Sequence, residues 1–336
     1  DKRFAVTEER LSISDVLVAK KRISGLVTNT PLRKSHWLCD LSQAEVFMKL
    51  ENLQVTGSFK YRGALNAMTW AKERGFTKVF TASAGNHGLG IAEAAVTTER
   101  EARICLPTNV NPMKKQKLER YSVGLLQHGE DMDQTEAYAM RLAKEQKGLY
   151  ISPYNNREVI AGQGTVGLEM YELIPKLSTV IVAVGGGGLI SGIGLVAKVI
   201  NPKVRIVGVV AAASPTMKTA IHSGRVVKVL QQDTIADGIA GNIDPETITY
   251  PLVQEVVDEW VAIEERDIHQ AVFDFLENEG MLIEGAAACA IAAISAKYIN
   301  FKPRERVGVV VCGGNIGRNS WREIVGEQLL SAGKST

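Results

Sequence analysis

Lys60 stands in surroundings that suggest chemistry, within Thr56-Gly57-Ser58-Phe59-Lys60-Tyr61-Arg62-Gly63, where glycines and a hydroxyl flank a single amine. Upstream, Val46 to Glu51 has the pattern of a strand. Downstream, Ala64, Leu65, Ala67, Met68 and Ala71 recur at near-helical spacing until Gly75. The spacing predicts that Lys60 lies in the first turn of a helix. The partial positive charge of a helix N-terminus and an apolar pocket both disfavour an ammonium, lower a lysine's pKa and free its amine to attack a carbonyl. Such an amine could hold an aldehyde cofactor. An arbitrary lysine at a helix start is ordinarily solvated, so the rest of the chain has to distinguish the two cases.

A second pattern runs from Thr179 to Gly192. An apolar, β-branched run meets Gly185, Gly186, Gly187 and Gly188, and a helical pattern follows through Ile200. A strand, a tight turn and a helix start in that order form an anion site, because glycines admit a ligand close to backbone N–H groups. A phosphate fits there, whereas a flexible linker would be flanked by polar residues. Gly192-Ile193-Gly194-Leu195-Val196-Ala197 imitates a dinucleotide fingerprint, but it falls inside the predicted helix and no acidic residue follows about twenty positions on. Gly333-Lys334-Ser335 imitates the end of a P-loop, with Gln328 where its first glycine should stand. No nucleotide is implied.

Two more strand ends carry candidate groups. Thr81-Ala82-Ser83-Ala84-Gly85-Asn86-His87-Gly88 follows the strand at Lys78 to Phe80 and precedes a helical stretch from Leu89 to about Val96. Its small residues and exposed N–H groups suit a carboxylate, and Asn86 offers an amide to a ring hydroxyl or oxyanion. His87 is assigned no acid–base role, because a lone histidine is more often a capping or packing residue. The run Arg306 to Cys312, followed by Gly313-Gly314-Asn315, is another buried strand, and ligands of open α/β sheets gather at such edges.

These residues resemble the serine/threonine dehydratases (ammonia-lyases), of the second fold type of pyridoxal-phosphate enzymes, a group that includes serine racemase. The resemblance runs from about Ile13 to Ile324. It rests on Gly57-Ser58-Phe59-Lys60 with Arg62-Gly63, Ser83 to His87, Ala161-Gly162-Gln163-Gly164-Thr165, the four glycines and Gly313-Gly314-Asn315, all in the family's order. It implies an α/β fold like that of the tryptophan synthase β chain, two open parallel-sheet αβα domains with pyridoxal phosphate between them. By resemblance, Lys60 forms the Schiff base, Phe59 and Asn86 flank the ring, Gly185 to Gly188 bind the phosphate, and Cys312 faces the pyridine nitrogen. Ser83, Asn86 and His87 fall in the substrate-carboxylate loop, while Asn155 and Gly238 match other pocket positions.

The implied reaction is α,β-elimination from a β-hydroxy-L-amino acid, L-threonine or L-serine, giving ammonia and a 2-oxo acid. Lys60 would remove the Cα proton while the ring delocalises charge. A thiol opposite the ring nitrogen stabilises a protonated pyridinium poorly, which favours elimination over transamination. A second serine that serves serine racemase is replaced here by Ala84, so little racemisation is expected. The carboxylate that opens a divalent-cation site in metal-dependent relatives is replaced by Val210, so no metal is expected. Glu284 is either an ordinary buried carboxylate or one contributor to a monovalent-ion site. Alternatives are a lyase for 3-hydroxyaspartate or phenylserine, a β-replacement enzyme of the cysteine synthase type, and an idle cofactor-binding protein. A second substrate carboxylate would want a cation, with Arg157 the nearby candidate.

Composition suits a cytoplasmic enzyme. Hydrophobic residues make up 45% of the chain and charged residues 23%, enough apolar content for a large core. The net charge of +2 and the lack of basic clusters interleaved with aromatics argue against nucleic acid, and no apolar run reaches membrane-span length. Cys39, Cys105, Cys289 and Cys312 form no C-x-x-C pair, so reduced thiols are expected rather than zinc or disulfides. The charged start from Asp1 to Leu11 predicts no secretory signal, and the missing initiator Met suggests a trimmed or incomplete N-terminus.

Strands are expected near residues 46–51, 78–82, 102–107, 124–129, 149–152, 179–184, 204–210 and 306–312, alternating with helices as in parallel sheets. The expected domains are a large one from 1–69 and 157–336 and a small inserted one from 70–156, without a C-terminal regulatory module. A homodimer and a small amino-acid substrate follow from the resemblance.

Overall fold

The computed structural model describes residues 10–332; Gly333 to Ser335 and the segment before Arg10 lie outside them. Ten strands form two sheets: β1 (Leu32–Lys34), β2 (Glu45–Leu50), β3 (Lys78–Ala82), β4 (Glu101–Leu106), β5 (Gly124–Gln127), β6 (Leu149–Tyr150), β7 (Thr179–Ala183), β8 (Arg205–Ala211), β9 (Glu259–Ile263) and β10 (Arg306–Val311). The six-stranded sheet has the order β1-β2-β10-β7-β8-β9 and the four-stranded sheet the order β5-β4-β3-β6. Every pairing is parallel except that of β1 with β2.

Two strands differ from the sequence expectation. β1 is three residues, Leu-Arg-Lys, with no apolar period to read, and its antiparallel pairing with β2 makes it a strand. β9, Glu-Trp-Val-Ala-Ile, is flanked by charge and half-buried at the sheet edge, so its alternation is weak. By contrast β7 is buried at every position, as a central parallel strand covered on both faces requires.

In the larger sheet the chain leaves β7 for β8 on one side, while β10 takes the other. This is a switch point, and ligands bind outside the carboxyl ends of such strands. The helix that carries Lys60, Lys60–Glu73, buries Tyr61, Ala64, Leu65, Ala67, Met68 and Ala71 in the same apolar cluster as β3 and β4. Lys60 therefore stands where the four-stranded sheet's core meets the larger sheet. Gly192 lies inside the helix Gly188–Ile200, and a Cβ there would come within 2.5 Å of the Ile160 carbonyl oxygen in the neighbouring helix Arg157–Leu173. Close helix packing thus explains the false dinucleotide pattern.

Beneath the lysine, Arg62 is fully buried. It binds Glu51 through Nε and Nη2, both at 2.8 Å, and Glu169 through Nη1 at 2.6 Å and Nη2 at 2.8 Å. Lys49 adds an ion pair to Glu169 at 2.5 Å and donates to the Thr30 carbonyl at 2.6 Å. Two cations and two anions balance, as burial of charge demands. Burial opposes ionisation of Glu51, but the charge and hydrogen bonds of Arg62 outweigh it and hold its pKa below the usual range. The network clamps β2, the first turn of the lysine helix and the helix Arg157–Leu173 to one another.

Candidate active site

The lysine loop is stitched to the end of β10. Phe59 N–H donates to the Cys312 carbonyl at 3.1 Å, Gly314 N–H donates to the Gly57 carbonyl at 2.9 Å, and Ser58 pairs with Gly313 in an antiparallel bridge. Phe59 is the N-cap and Lys60 the first residue of its helix. The Lys60 amine donates to the Pro153 carbonyl at 2.8 Å and lies 5.3 Å from the centre of the Phe59 ring. Burial pulls its pKa down to about 8, with Cys312 and Glu284 opposing the shift. At pH 7 about a tenth of such amines are uncharged, against well under a thousandth of an ordinary lysine's, which suits a nucleophile or base.

Lys60 faces a cavity of about 360 Å³ whose walls include Phe59, Ser83, Asn86, His87, Gly185 to Gly188, Gly238 and Cys312. At Gly187 the backbone takes φ +84°, a left-handed value at the N-cap of the helix Gly188–Ile200 that glycine adopts without strain. At Gly186 a Cβ would approach the Tyr154 ring to 2.2 Å, so only glycine fits beneath that ring. The first-turn amides of this helix have no intrahelical acceptor, which leaves an anion cradle.

The loop after β3 supplies a second cradle. Asn86 opens the helix Asn86–Thr98, three residues earlier than its sequence pattern suggests, so Asn86 and His87 lie in the first helical turn. His87 Nε2 lies 3.3 Å from the Ile151 carbonyl oxygen; burial and the nearby Lys60 charge push its pKa down to about 3, which keeps the ring neutral. The Asn86 amide is clasped from both sides. Its Nδ2 donates to the Glu284 oxygens at 2.8 and 3.0 Å, and its Oδ1 accepts from Asn315 Nδ2 at 2.8 Å. Glu284 also accepts from the Asn315 backbone N–H at 3.1 Å, and its burial raises its pKa.

Cys312 is buried, and burial raises its thiol pKa well above the ordinary value, so the cavity wall there is neutral. Asn155 is not among the wall residues. Its Nδ2 donates to Asp244 at 2.9 Å and its Oδ1 accepts from Ile248 N–H at 3.0 Å, which ties down a neighbouring loop. The adjacent Tyr154 forms the wall in its place, with its hydroxyl accepting from Asp244 N–H at 2.8 Å. Arg157 is likewise absent from the wall and pairs with Asp15 at 2.8 Å. Val210 is buried in β8, and no cluster of three or more His, Cys, Asp or Glu suited to a metal ion occurs among the described residues. No helix among them is long and apolar enough to cross a membrane.

Sequence reasoning gave no role to Tyr154, Arg62 or the Asn315 side chain. Arg62 was legible as part of the lysine motif, two residues beyond Lys60; Tyr154 carried no signal until folding set it over Gly186.

A buried amine of lowered pKa and an amide cradle for a phosphate in one cavity define an enzyme that carries a phosphorylated aldehyde on lysine. The residues present fit pyridoxal phosphate: Lys60 offers a buried amine and Gly185 to Gly188 an amide-lined turn to the same cavity, which Phe59, Asn86 and Cys312 also line. The chain belongs to the family described as pyridoxal-phosphate dependent enzyme, whose model matches residues 23–313. It is 36% identical over 325 residues to an L-threonine ammonia-lyase of Thermotoga maritima, covering 96% of this chain and 80% of that protein. It is 33% identical over 320 residues to the catabolic L-threonine dehydratase TdcB of Escherichia coli K12, covering 94% and 96%. Maize serine racemase superposes with a TM-score of 0.88 at 28% identity, covering 96% of this chain and 99% of that one.

Proposed function

We propose that this protein is an ammonia-lyase that converts a β-hydroxy-L-amino acid, L-threonine or L-serine, into ammonia and a 2-oxo acid by α,β-elimination. The observation that carries the proposal is the buried Lys60 amine, with its pKa of about 8, in one cavity with two amide-lined helix starts. Pyridoxal phosphate, when bound, supplies a conjugated electron sink for the charge that develops at the substrate Cα.

The chain's own groups do the rest. The amides at Ser83 to His87 receive the substrate carboxylate, and the neutral His87 shapes that pocket without adding charge. The Lys60 amine takes the proton from Cα and returns it to the departing β-hydroxyl, which leaves as water, and the enamine that remains hydrolyses after release to the 2-oxo acid and ammonia. Cys312, uncharged, would give the nitrogen of a bound pyridoxal ring no anionic partner, which favours expulsion of the β-group over reprotonation at Cα. Ala84 holds no proton for the opposite face. The Asn86, Glu284 and Asn315 clasp fixes the ring-facing amide and ties the loop after β3 to the larger sheet. The test is 2-oxo acid release with pyridoxal phosphate and L-threonine or L-serine, with Lys60→Ala as the blank. Release that vanishes in the variant supports the lyase, and bound cofactor without release from either substrate refutes it.

The same proposal includes a small domain, about 70–156, that closes over the substrate against the rest of the chain and excludes water. It also includes a homodimer in the cytoplasm. Sedimentation at the mass of one chain would remove the dimer, and secretion of the protein from its own cells would remove the location.

A further inference from the structure

We propose that Lys117 is a specificity-determining residue and that it selects a β-hydroxy-L-amino acid bearing a second carboxylate beyond Cβ. This rests on the lyase function proposed above and extends its substrates to a dicarboxylate. The charged side chains in the cavity wall are Lys60, Lys114, Lys117, Asp237 and Glu284. Each but one has its partner. Lys60 donates to the Pro153 carbonyl, Glu284 accepts from Asn86 and from the Asn315 backbone, and Lys114 pairs with Asp237 at 2.6 Å. Lys117 is half-buried and has no hydrogen-bond or ion-pair partner among the described residues.

Its position fits a substrate contact. Lys114 and Lys117 are three residues apart on the helix Pro112–Leu118, a spacing that sets them on one face, and Lys114 reaches Asp237 beside Gly238 across the cavity mouth. The next residue, Leu118, packs at Gly88, 3.6 Å from where a Cβ would stand, so this helix rests on the loop that receives the substrate α-carboxylate. Lys117 lines the same cavity as that loop, so a substrate anchored there can present its far end to this ammonium. Asp237 neutralises Lys114, which leaves Lys117 as the uncompensated cation of the mouth. A half-buried cation of this kind favours an anion over the methyl of threonine, because the methyl offers it neither charge nor acceptor.

The experiment measures kcat/KM of the holoenzyme for L-threo-3-hydroxyaspartate and for L-threonine, in wild type, Lys117→Met and Lys117→Arg. The expected result is that wild type turns over the dicarboxylate. The ratio of the two constants should fall by about tenfold to a hundredfold in Lys117→Met, mainly through KM, and recover in Lys117→Arg. An unchanged ratio in Lys117→Met, or release from L-threonine with none from the dicarboxylate in wild type, overturns the proposal. If no substrate yields a 2-oxo acid, the lyase function itself has failed. Titration calorimetry of succinate against butyrate then still decides the role of Lys117: preference for succinate lost in Lys117→Met supports it, and no preference in wild type refutes it.

Discussion

Replacing Arg62 with methionine keeps much of the side-chain volume and removes one charge from a buried set of four. The set is balanced in the native protein, with Lys49 and Arg62 opposite Glu51 and Glu169, and Arg62 and Glu51 are both 0% exposed. Without the guanidinium, Lys49 faces two carboxylates and a net negative charge is left without water. Breaking a buried pair by removing one partner costs about 3–5 kcal/mol, or roughly a hundredfold to a few thousandfold in the folding equilibrium. The sign of the pH effect follows from the same geometry. In wild type Glu51 has its pKa lowered, so its stabilisation is present above the unfolded-state pKa and is lost as pH falls through the folded value. In the variant one carboxyl is held above its unfolded value and takes up a proton on folding as pH falls. The gap between variant and wild type should therefore be widest near pH 8 and shrink toward pH 5. Urea denaturation of the cofactor-free protein at several pH values reads this as a shift in midpoint. A loss below about 1 kcal/mol at pH 8, or one that does not change with pH, would refute the reasoning. Arg62→Lys, which keeps the charge and loses the fork, should fall between the two.

Capture of pyridoxal by cofactor-free protein, trapped with borohydride, should rise with pH through a midpoint near 8, since burial lowers the Lys60 pKa from 10.5; a midpoint near 10.5 would contradict the burial of its charge. Gly186→Ala drives a methyl into the Tyr154 ring and should weaken pyridoxal-phosphate binding by about tenfold to a hundredfold, with partial recovery in Gly186→Ala/Tyr154→Ala; equilibrium dialysis showing no change in the single variant would reject the fit. His87 is held to about 3 against an ordinary 6.5, so the unfolded chain binds a proton the folded one refuses and stability falls as pH drops from 6.5 toward 3. His87→Gln should flatten that part of the stability curve. Chiral chromatography of L-serine incubations should find pyruvate without D-serine, and D-serine at a comparable rate would mean that another group does what Ala84 cannot.

The placement of much of the candidate site was legible because its signals are local. A strand, a glycine turn and a helix start follow one another in sequence, so Lys60, Gly185 to Gly188 and the Ser83 to His87 loop could be assigned to helix N-termini from spacing alone. β1 and β9 were not legible, because short or half-buried edge strands are fixed by their neighbours rather than by their own period. Asn155 and Tyr154 show the limit at the level of single side chains. Adjacent residues of an irregular turn share every local signal, and only the packing of Tyr154 on Gly186 sets it in the wall while Asn155 turns to Asp244.

The sequence by itself determined that Lys60, the four glycines and the Ser83 to His87 loop stand at helix starts, and that strands and helices alternate, since each depends on residues within a few positions of one another. Tertiary structure alone decided which charges meet. Lys49, Glu51, Arg62 and Glu169 come from β2, the turn that follows it and two helices, Asn86 meets Glu284 and Asn315 from across the cavity, and Lys114 finds Asp237 while Lys117 is left unpaired. Desolvation and Coulomb attraction act over a few ångströms in space, and separation along the chain does not report that distance.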